Sequence, residues 1–474
     1  MKHCGIPINI SIKPDLDPEF IPLFKFNQSF LETATKPFSI AIERNDKQIY
    51  VKSTRIHGDE AHAEADRYYV DRLIKLELWQ RGGFRIYVKG DDALFQILKQ
   101  AYSPDGSRSF DAEFMGNLYR HDFEVVKCDE LPVPFDISKS IGRHFDGCRI
   151  GFDAGGSDYK VSAVIDGKVI YSKEMVWHPK LNSDPDYHYN GVLSAFKDAM
   201  QYLPCVDAIG ISSAGLVGNN RVLYAQIFQK VPKDLFDLKG RDTYIRAVKE
   251  IGENIPFEVL NDGDVTALAG SIGLGRNNIL GIAMGTSTAG GFVDKAGNVS
   301  NWLSEFAFTP VDASPTAARD VWTGDIGVGV HYFCQEAVIK LSGAAGISLD
   351  GYNTPAEKLK AVQILLDEED DGAAAIFRSI GCYLGHTAPL YHDNYGTDGI
   401  LLLGRVMSGK GGSIIVETAN TVLREEYPDI SIDLLLPDEH TRRLGQSVIA
   451  ASLPEIKNRE GTKNANRKCA NTDE

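Results

Sequence analysis

The chain has 474 residues, more than one hydrophobic core organises, so two or three domains are expected. Hydrophobic residues make up 43% and charged residues 24%, the balance of a soluble globular protein, and no apolar run reaches the roughly 18 residues of a membrane span. A net charge of −15 argues against a general nucleic-acid surface, while seven scattered cysteines without a C-x-x-C pair fit reduced thiols, and with no apolar signal core at the N-terminus the expected location is cytoplasmic.

Residues 1–36 alternate Pro, Asp and apolar side chains without a clear period and predict no element. Across 37–56 the runs Ser39-Ile40-Ala41-Ile42 and Ile49-Tyr50-Val51 flank Asn45-Asp46, a hairpin signal. Tyr69, Val70, Leu73, Ile74 and Leu76 recur at helical spacing within 64–80, and Gly82-Gly83 ends that helix. A strand at 84–88, a helix at 93–102 and a strand at 123–126 complete a small α+β unit. Arg67, Arg72, Arg81 and Arg85 read as solvated faces. Because Glu64, Asp66, Asp71 and Glu77 mix with Arg67, Arg72 and Lys75, the 64–80 helix lacks the net positive charge of a DNA reader. The Pro-containing segment 131–142 reads as a linker, so 1–148 is expected to be an accessory α+β domain.

A second unit opens at 149. The strand 150–153 ends on Asp153, turns through Ala154-Gly155-Gly156-Ser157 and returns over 159–165. Asp166-Gly167 is a two-residue hairpin signal leading to a third strand at 169–172. The helix 190–202 and the strand 208–211 follow, the latter opening into Ser212-Ser213-Ala214-Gly215-Leu216-Val217-Gly218. The run 257–261 is a strand ending on Asn261, with Asp262 entering an Ala-rich helix. The strand 282–284 then enters Gly285-Thr286-Ser287-Thr288-Ala289-Gly290-Gly291, a turn able to bare backbone N–H groups to an anion. Beyond it the pattern predicts helices at 355–366 and 373–384, a strand at 398–403 entering a turn at Gly404, a helix at 412–425, a strand at 430–435 and a helix at 441–451. The polar tail 457–474 is expected to be disordered.

Taken alone, Asp262 reads as a helix cap. Beside a phosphate-sized cradle it becomes a candidate base. Three Gly-rich turns follow three strands, at 153–157, 285–291 and 404–412, with an aspartate in the first and Asn261-Asp262 between them. Phosphoryl transfer asks for this set: amides and Mg²⁺ neutralise phosphate charge, and a carboxylate takes the proton of the attacking hydroxyl. Asp153 is the candidate for holding Mg²⁺ and Asp262 for the base.

These residues resemble the ROK family of repressors and sugar kinases, within the actin-like ATPase and hexokinase superfamily. Asp153-Ala154-Gly155-Gly156-Ser157 with Lys160 resembles its first phosphate hairpin, and Gly210-Ile211-Ser212-Ser213-Ala214-Gly215-Leu216-Val217 its sugar-side loop. Asn261-Asp262-Gly263-Asp264 is similar to the helix start that carries its catalytic base, Gly285-Thr286-Ser287 to its second phosphate loop, and Leu402-Leu403-Gly404-Arg405 to its adenosine loop. The resemblance covers about 149–452 and implies an α/β fold of two ribonuclease-H-like domains, 149–260 and 261–456, closing over ATP, Mg²⁺ and a sugar. It implies sugar contacts from Ser213, Gly215, Asn261, Asp262, Glu305 and Glu336, and a homodimer without nucleic-acid or membrane partners. The chain departs from the family at Ser304-Glu305-Phe306-Ala307-Phe308, where Phe308 replaces a sugar-contacting, zinc-binding histidine. Cys334-Gln335-Glu336 matches the end of the family's zinc loop, but its other cysteines are missing, so no structural zinc is expected. His331 is a substitute candidate at the sugar, and Arg405 stands where the family often has a second glycine. The expected activity is ATP-dependent phosphorylation of a hexose or N-acylhexosamine hydroxyl, with a non-catalytic sugar-binding regulator as the alternative.

Overall fold

A computed structural model describes residues 1–300, 302–437 and 445–456; the tail expected from 457 and the first residues of the 441–451 helix lie outside the described residues. The chain forms two compact units. The larger comprises 1–138, 278–292 and 300–436, and the smaller comprises 139–277, 293–299 and the described residues from 437 onward. These divisions differ from the boundaries expected at 148 and 260. Residues 1–138 share a unit with most of the C-terminal half, and the helix Asp262–Gly273 belongs to the smaller unit.

The smaller unit is built on a five-stranded sheet in the order Phe257–Asn261, Ala208–Ser213, Cys148–Ala154, Asp158–Ile165, Lys168–Val176. The first three strands are parallel and the last two antiparallel. Asp166 and Gly167 both have positive φ, 46° and 77°, the backbone a two-residue hairpin requires. Cys148–Ala154 is buried along its whole length. Its alternate residues Ile150 and Phe152 join Phe196, Ile211, Tyr244 and Ala247 in one core, under the helices Pro185–Met200 and Thr243–Ile251. The other face receives the helix Gln446–Ala451 at very short range. Gly151 and Gly210 are cross-strand partners, and a Cβ on either would stand 1.7 or 1.6 Å from the carbonyl oxygen of Ser447 or Ala450. Neither backbone oxygen can yield, so Gly210→Ala should cost about 3 kcal/mol or more, readable as a lower urea midpoint.

The larger unit holds two four-stranded sheets and a two-stranded one, Lys2–His3 with Ile6–Pro7. One four-stranded sheet has the order Thr288–Val293, Ile279–Met284, Gly399–Leu403, Asp433–Leu435, the last three parallel. It is accompanied by the helices Asp371–Tyr395 and Lys410–Glu426, which approach closely at Gly381 and Gly385. The other four-stranded sheet orders Ile49–Ile56, Lys36–Glu43, Arg85–Lys89, Glu124–Lys127, as the hairpin signal at Asn45-Asp46 foretold. Residues 1–36, unreadable by period, contain the helix Leu23–Thr33, and their preceding segment is tied down by Glu426, which accepts from the Ser11 and Ile12 N–H groups at 2.6 and 2.8 Å.

The helix Ala63–Arg81 corrects the expectation of solvated arginines. Arg67 is exposed, but Arg72 and Arg81 are buried, as are Lys75, Glu77 and Asp66. Arg81 donates to Glu77 Oε2 at 3.0 Å and lies between the rings of Tyr50 and Trp302. Arg72, Lys75 and Arg108 face Asp71, Asp111 and Asp325, three cations against three carboxylates. Among the described residues no helix is long and apolar enough to cross a membrane.

Candidate active site

In the smaller unit, strand register aligns the predicted residues. Asp153 pairs with Ser212, which pairs with Leu260; one step on, Ala154, Ser213 and Asn261 form the next level, and Asp262 follows immediately. Parallel strands thus deliver the side chains of three loops to one sheet end. Ser212 Oγ donates to Asp153 Oδ1 at 2.7 Å, and Ser213 Oγ lies 2.7 Å from Tyr244 Oη. Asn261 Nδ2 donates to the carbonyl oxygen of Gly215 at 2.6 Å, which ties the 212–218 loop to the end of Phe257–Asn261. The Asn261 carboxamide oxygen caps the helix by accepting from the Gly263 N–H at 2.8 Å. Asn261 is the N-cap, and Asp262 Oδ1 shares the same Gly263 N–H at 3.0 Å.

Burial and then the neighbouring Asp153 carboxylate push the Asp262 carboxyl up to about 7. Burial raises Asp153 as well, partly offset by the Ser212 hydroxyl and Lys160. Asp264, which the motif reading did not single out, is buried; burial and then Asp262 lift it well above the usual carboxylate range. The hairpin turn at 154–157 is closed by Trp177, whose Nε1–H donates to Gly155 O at 2.9 Å and whose backbone N–H donates to Ser157 O at 3.1 Å. Gly156 lies beside Lys180, which a Cβ there would meet at 2.8 Å. Lys160 pairs with Asp153 across the hairpin and forms an ion pair with Glu174 at 3.6 Å.

In the larger unit, Ile279–Met284 and Gly399–Leu403 are parallel neighbours, so the turns at Gly285 and Gly404 leave the sheet side by side. Gly404 has φ of 100°, and a Cβ would stand 2.3 Å from Met284 O, a position only glycine fills. Gly285 N–H donates to Ser287 O at 3.0 Å, and Thr286 and Ser287 project as an exposed tip. Arg405 is exposed and its carbonyl accepts from Gln363 Nε2 at 2.9 Å. Glu305 and Glu336 are both half-buried: Glu305 N–H donates to Trp79 O at 3.0 Å, and Glu336 lies in the first turn of Gln335–Ser342. Phe308 is packed between Trp79 and Trp322, at 4.9 and 4.7 Å between ring centroids. His331 lies on Val330–Phe333, which packs against Phe306–Phe308, and its ring is held neutral chiefly by burial.

Sequence reasoning missed Ser212 as the partner of Asp153, Tyr244 behind Ser213, and Trp177 over the hairpin. Tyr244 and Trp177 are far in sequence from the motifs they support, so pattern alone holds no signal for them. Ser212 was legible, since it precedes Ser213 in the same loop.

In the smaller unit Asp153 and Asp262 are two carboxylates, both raised chiefly by burial, the kind of donors a cation would relieve. In the larger unit the Gly285 and Gly404 turns carry no side chain at those positions, so an anion could approach their backbone. Both units are mixed α/β with Gly-rich turns at parallel strand ends. The chain has the fold of ROK proteins. It is similar to a ROK hexokinase from Thermus thermophilus, at 16% identity and a TM-score of 0.50 over 64% of this chain and 96% of that one. It is also similar to a ROK transcriptional regulator, a homologue of the E. coli MLC protein, at 18% identity and a TM-score of 0.50 over 65% of this chain and 79% of that one. No family model matches the chain, and no curated protein does.

Proposed function

We propose that the protein phosphorylates a sugar hydroxyl from ATP, with Asp262 as general base. The observation that carries this reading is the Asp262 carboxyl, which follows the Asn261 cap at the sheet end that bears Asp153 and is raised to about 7 by burial and Asp153. A base poised near neutrality is what proton removal from an alcohol requires. The hydroxyl oxygen forms a bond to the γ-phosphorus, the bond from that phosphorus to the ADP oxygen breaks, and the hydroxyl proton passes to an Asp262 carboxylate oxygen. Asn261, Ser213 and Gly215 would position the sugar, with Glu305 and Glu336 as further hydroxyl partners. Gly155, Gly156, Ser157, Lys160, Gly285, Thr286, Ser287, Gly404 and Arg405 would hold the nucleotide. Asp153 would hold Mg²⁺, which when bound neutralises phosphate charge. The strand order of the smaller unit, with its second strand antiparallel, supports reading it as a ribonuclease-H-like lobe. A panel of hexoses and N-acylhexosamines with ATP, read by ADP release and by sugar phosphate formed, tests the reading. Absence of product with every sugar, from protein that binds one of them, would favour the non-catalytic regulator, which the replacement of histidine by the packed Phe308 supports.

The raised carboxyl fixes a pH profile. Only ionised Asp262 accepts a proton, so turnover should climb with pH up to about 7 and then level off. Stability runs the other way: the folded carboxyl holds its proton above the unfolded value of 3.8, so its favourable contribution is full at low pH and is lost as pH rises through about 7. The thermal midpoint of Asp262→Asn relative to the parent should therefore increase from pH 4 to pH 7 and stay constant above, as a melting series would record.

A further inference from the structure

We propose that Cys148, Cys205 and Asp207 form a three-donor site for one thiophilic divalent cation of the Zn²⁺ type, at the end of the smaller unit's sheet opposite Asp153 and Ser212. Cys148 opens the strand Cys148–Ala154, and Asp207 directly precedes Ala208–Ser213; because Ala208 pairs with Arg149, the two residues meet at the start of the two central strands. Cys148 N–H donates to Asp207 Oδ2 at 2.8 Å, and Asp207 N–H donates to Cys148 O at 2.8 Å, which fixes the carboxylate against the cysteine backbone. Cys205 Sγ lies 3.7 Å from Asp207 Oδ1. One donor atom from each of the three residues falls within 4.8 Å of the other two. Metal bonds of about 2.3 Å to sulfur and 2.0 Å to oxygen give tetrahedral edges of roughly 3.5–3.8 Å, so the sulfur–oxygen edge is already right and the rest must close by about 1 Å.

Cys205 supplies that movement, since it lies half-exposed in the connection to the strand while Cys148 is buried within the sheet. A further carboxylate, Asp166, is held nearby by accepting from Gly147 N–H at 2.8 Å, and adds negative potential. Two thiolates with one carboxylate select Zn²⁺, Co²⁺ or Cd²⁺ over Mg²⁺ and Ca²⁺. On binding, each thiol gives its proton to solvent, so two protons leave per ion, and water completes the fourth position. With three protein donors the ion is exchangeable, unlike a closed four-ligand structural zinc. None of the three residues lies in the 304–336 segment on which the expected absence of structural zinc rested. Nor does the site depend on kinase activity: it would clip the two central strands together in a kinase or in a regulator.

The test uses the reduced full-length protein titrated with Co²⁺. The expected result is one equivalent bound, with thiolate-to-cobalt charge-transfer absorption, release of two protons per ion in weak buffer, and displacement by Zn²⁺. Cys205→Ser should weaken binding by more than ~10²-fold, beyond the about 10–100-fold that loss of an outer partner costs. Asp207→Asn should weaken it while keeping the charge-transfer band at high Co²⁺. Cys128→Ser, in the larger unit, should bind as the parent does. Absence of the band with all thiols reduced, or a band unchanged in Cys205→Ser of native circular dichroism, overturns the proposal. So does a protein that binds no Co²⁺ when reduced and forms a Cys148–Cys205 disulfide in air.

Discussion

Asp262→Asn should lower turnover by at least ~10²-fold while leaving sugar affinity within about tenfold. The split between the two quantities is the point. Asn261 already supplies the cap, so the substitution should not unfold the start of Asp262–Gly273, and an amide keeps the hydrogen-bonding shape of the side chain. What it loses is the capacity to take a proton. Steady-state turnover from a coupled ADP assay and sugar binding by calorimetry separate the two. A variant with parental turnover would remove Asp262 as the base, and one that lost sugar binding alone would make it a binding residue instead.

Asp325→Asn should destabilise the larger unit by about 3–5 kcal/mol, the cost of breaking a buried charge set by removing one partner. Asp325 accepts from Arg72 Nη2 at 3.1 Å and Arg108 Nη1 at 2.7 Å, and Lys75 Nζ lies 3.7 Å away. Without its charge three cations face two carboxylates, with Arg72, Lys75, Arg108 and Asp111 all buried. Urea unfolding should show a lower midpoint with an unchanged slope. A midpoint within experimental error of the parent would mean that the cluster is hydrated.

The elements that bear chemistry were legible because their signals are local. Glycine after an apolar run, or Asn-Asp at a strand end, needs no knowledge of distant residues, and the turns at Gly155, Gly285 and Gly404 lie where the pattern put them. Illegible features depend on partners far along the chain. The helix Ala63–Arg81 looked solvated because most of what neutralises its buried cations lies elsewhere: Asp71 beside Arg72 is local, but Asp111 and Asp325 are far along the chain. The unit boundaries were hidden for a related reason. Each unit is assembled from separated segments, and a Pro-rich stretch near 131–134 marks a change of course better than it marks the edge of a core. Cys148 and Cys205 looked scattered in the sequence until strand pairing set them side by side.

The seating of Gln446–Ala451 on Gly151 and Gly210 also carries a timetable. On the ribosome, where chains emerge at about 5–20 residues per second, the strands that present Asp153, Ser212 and Asp262 are made long before the helix that covers their rear face. All of 300–436 must be synthesised in between. For that interval the sheet face at Gly151 and Gly210 lacks the helix that packs on it in the folded chain. The unit bearing Asp262 therefore becomes complete only after the larger unit's chain has been translated, so chains that end before Gln446 should show a lower urea midpoint for that unit even though Asp153, Ser212 and Asp262 are all present.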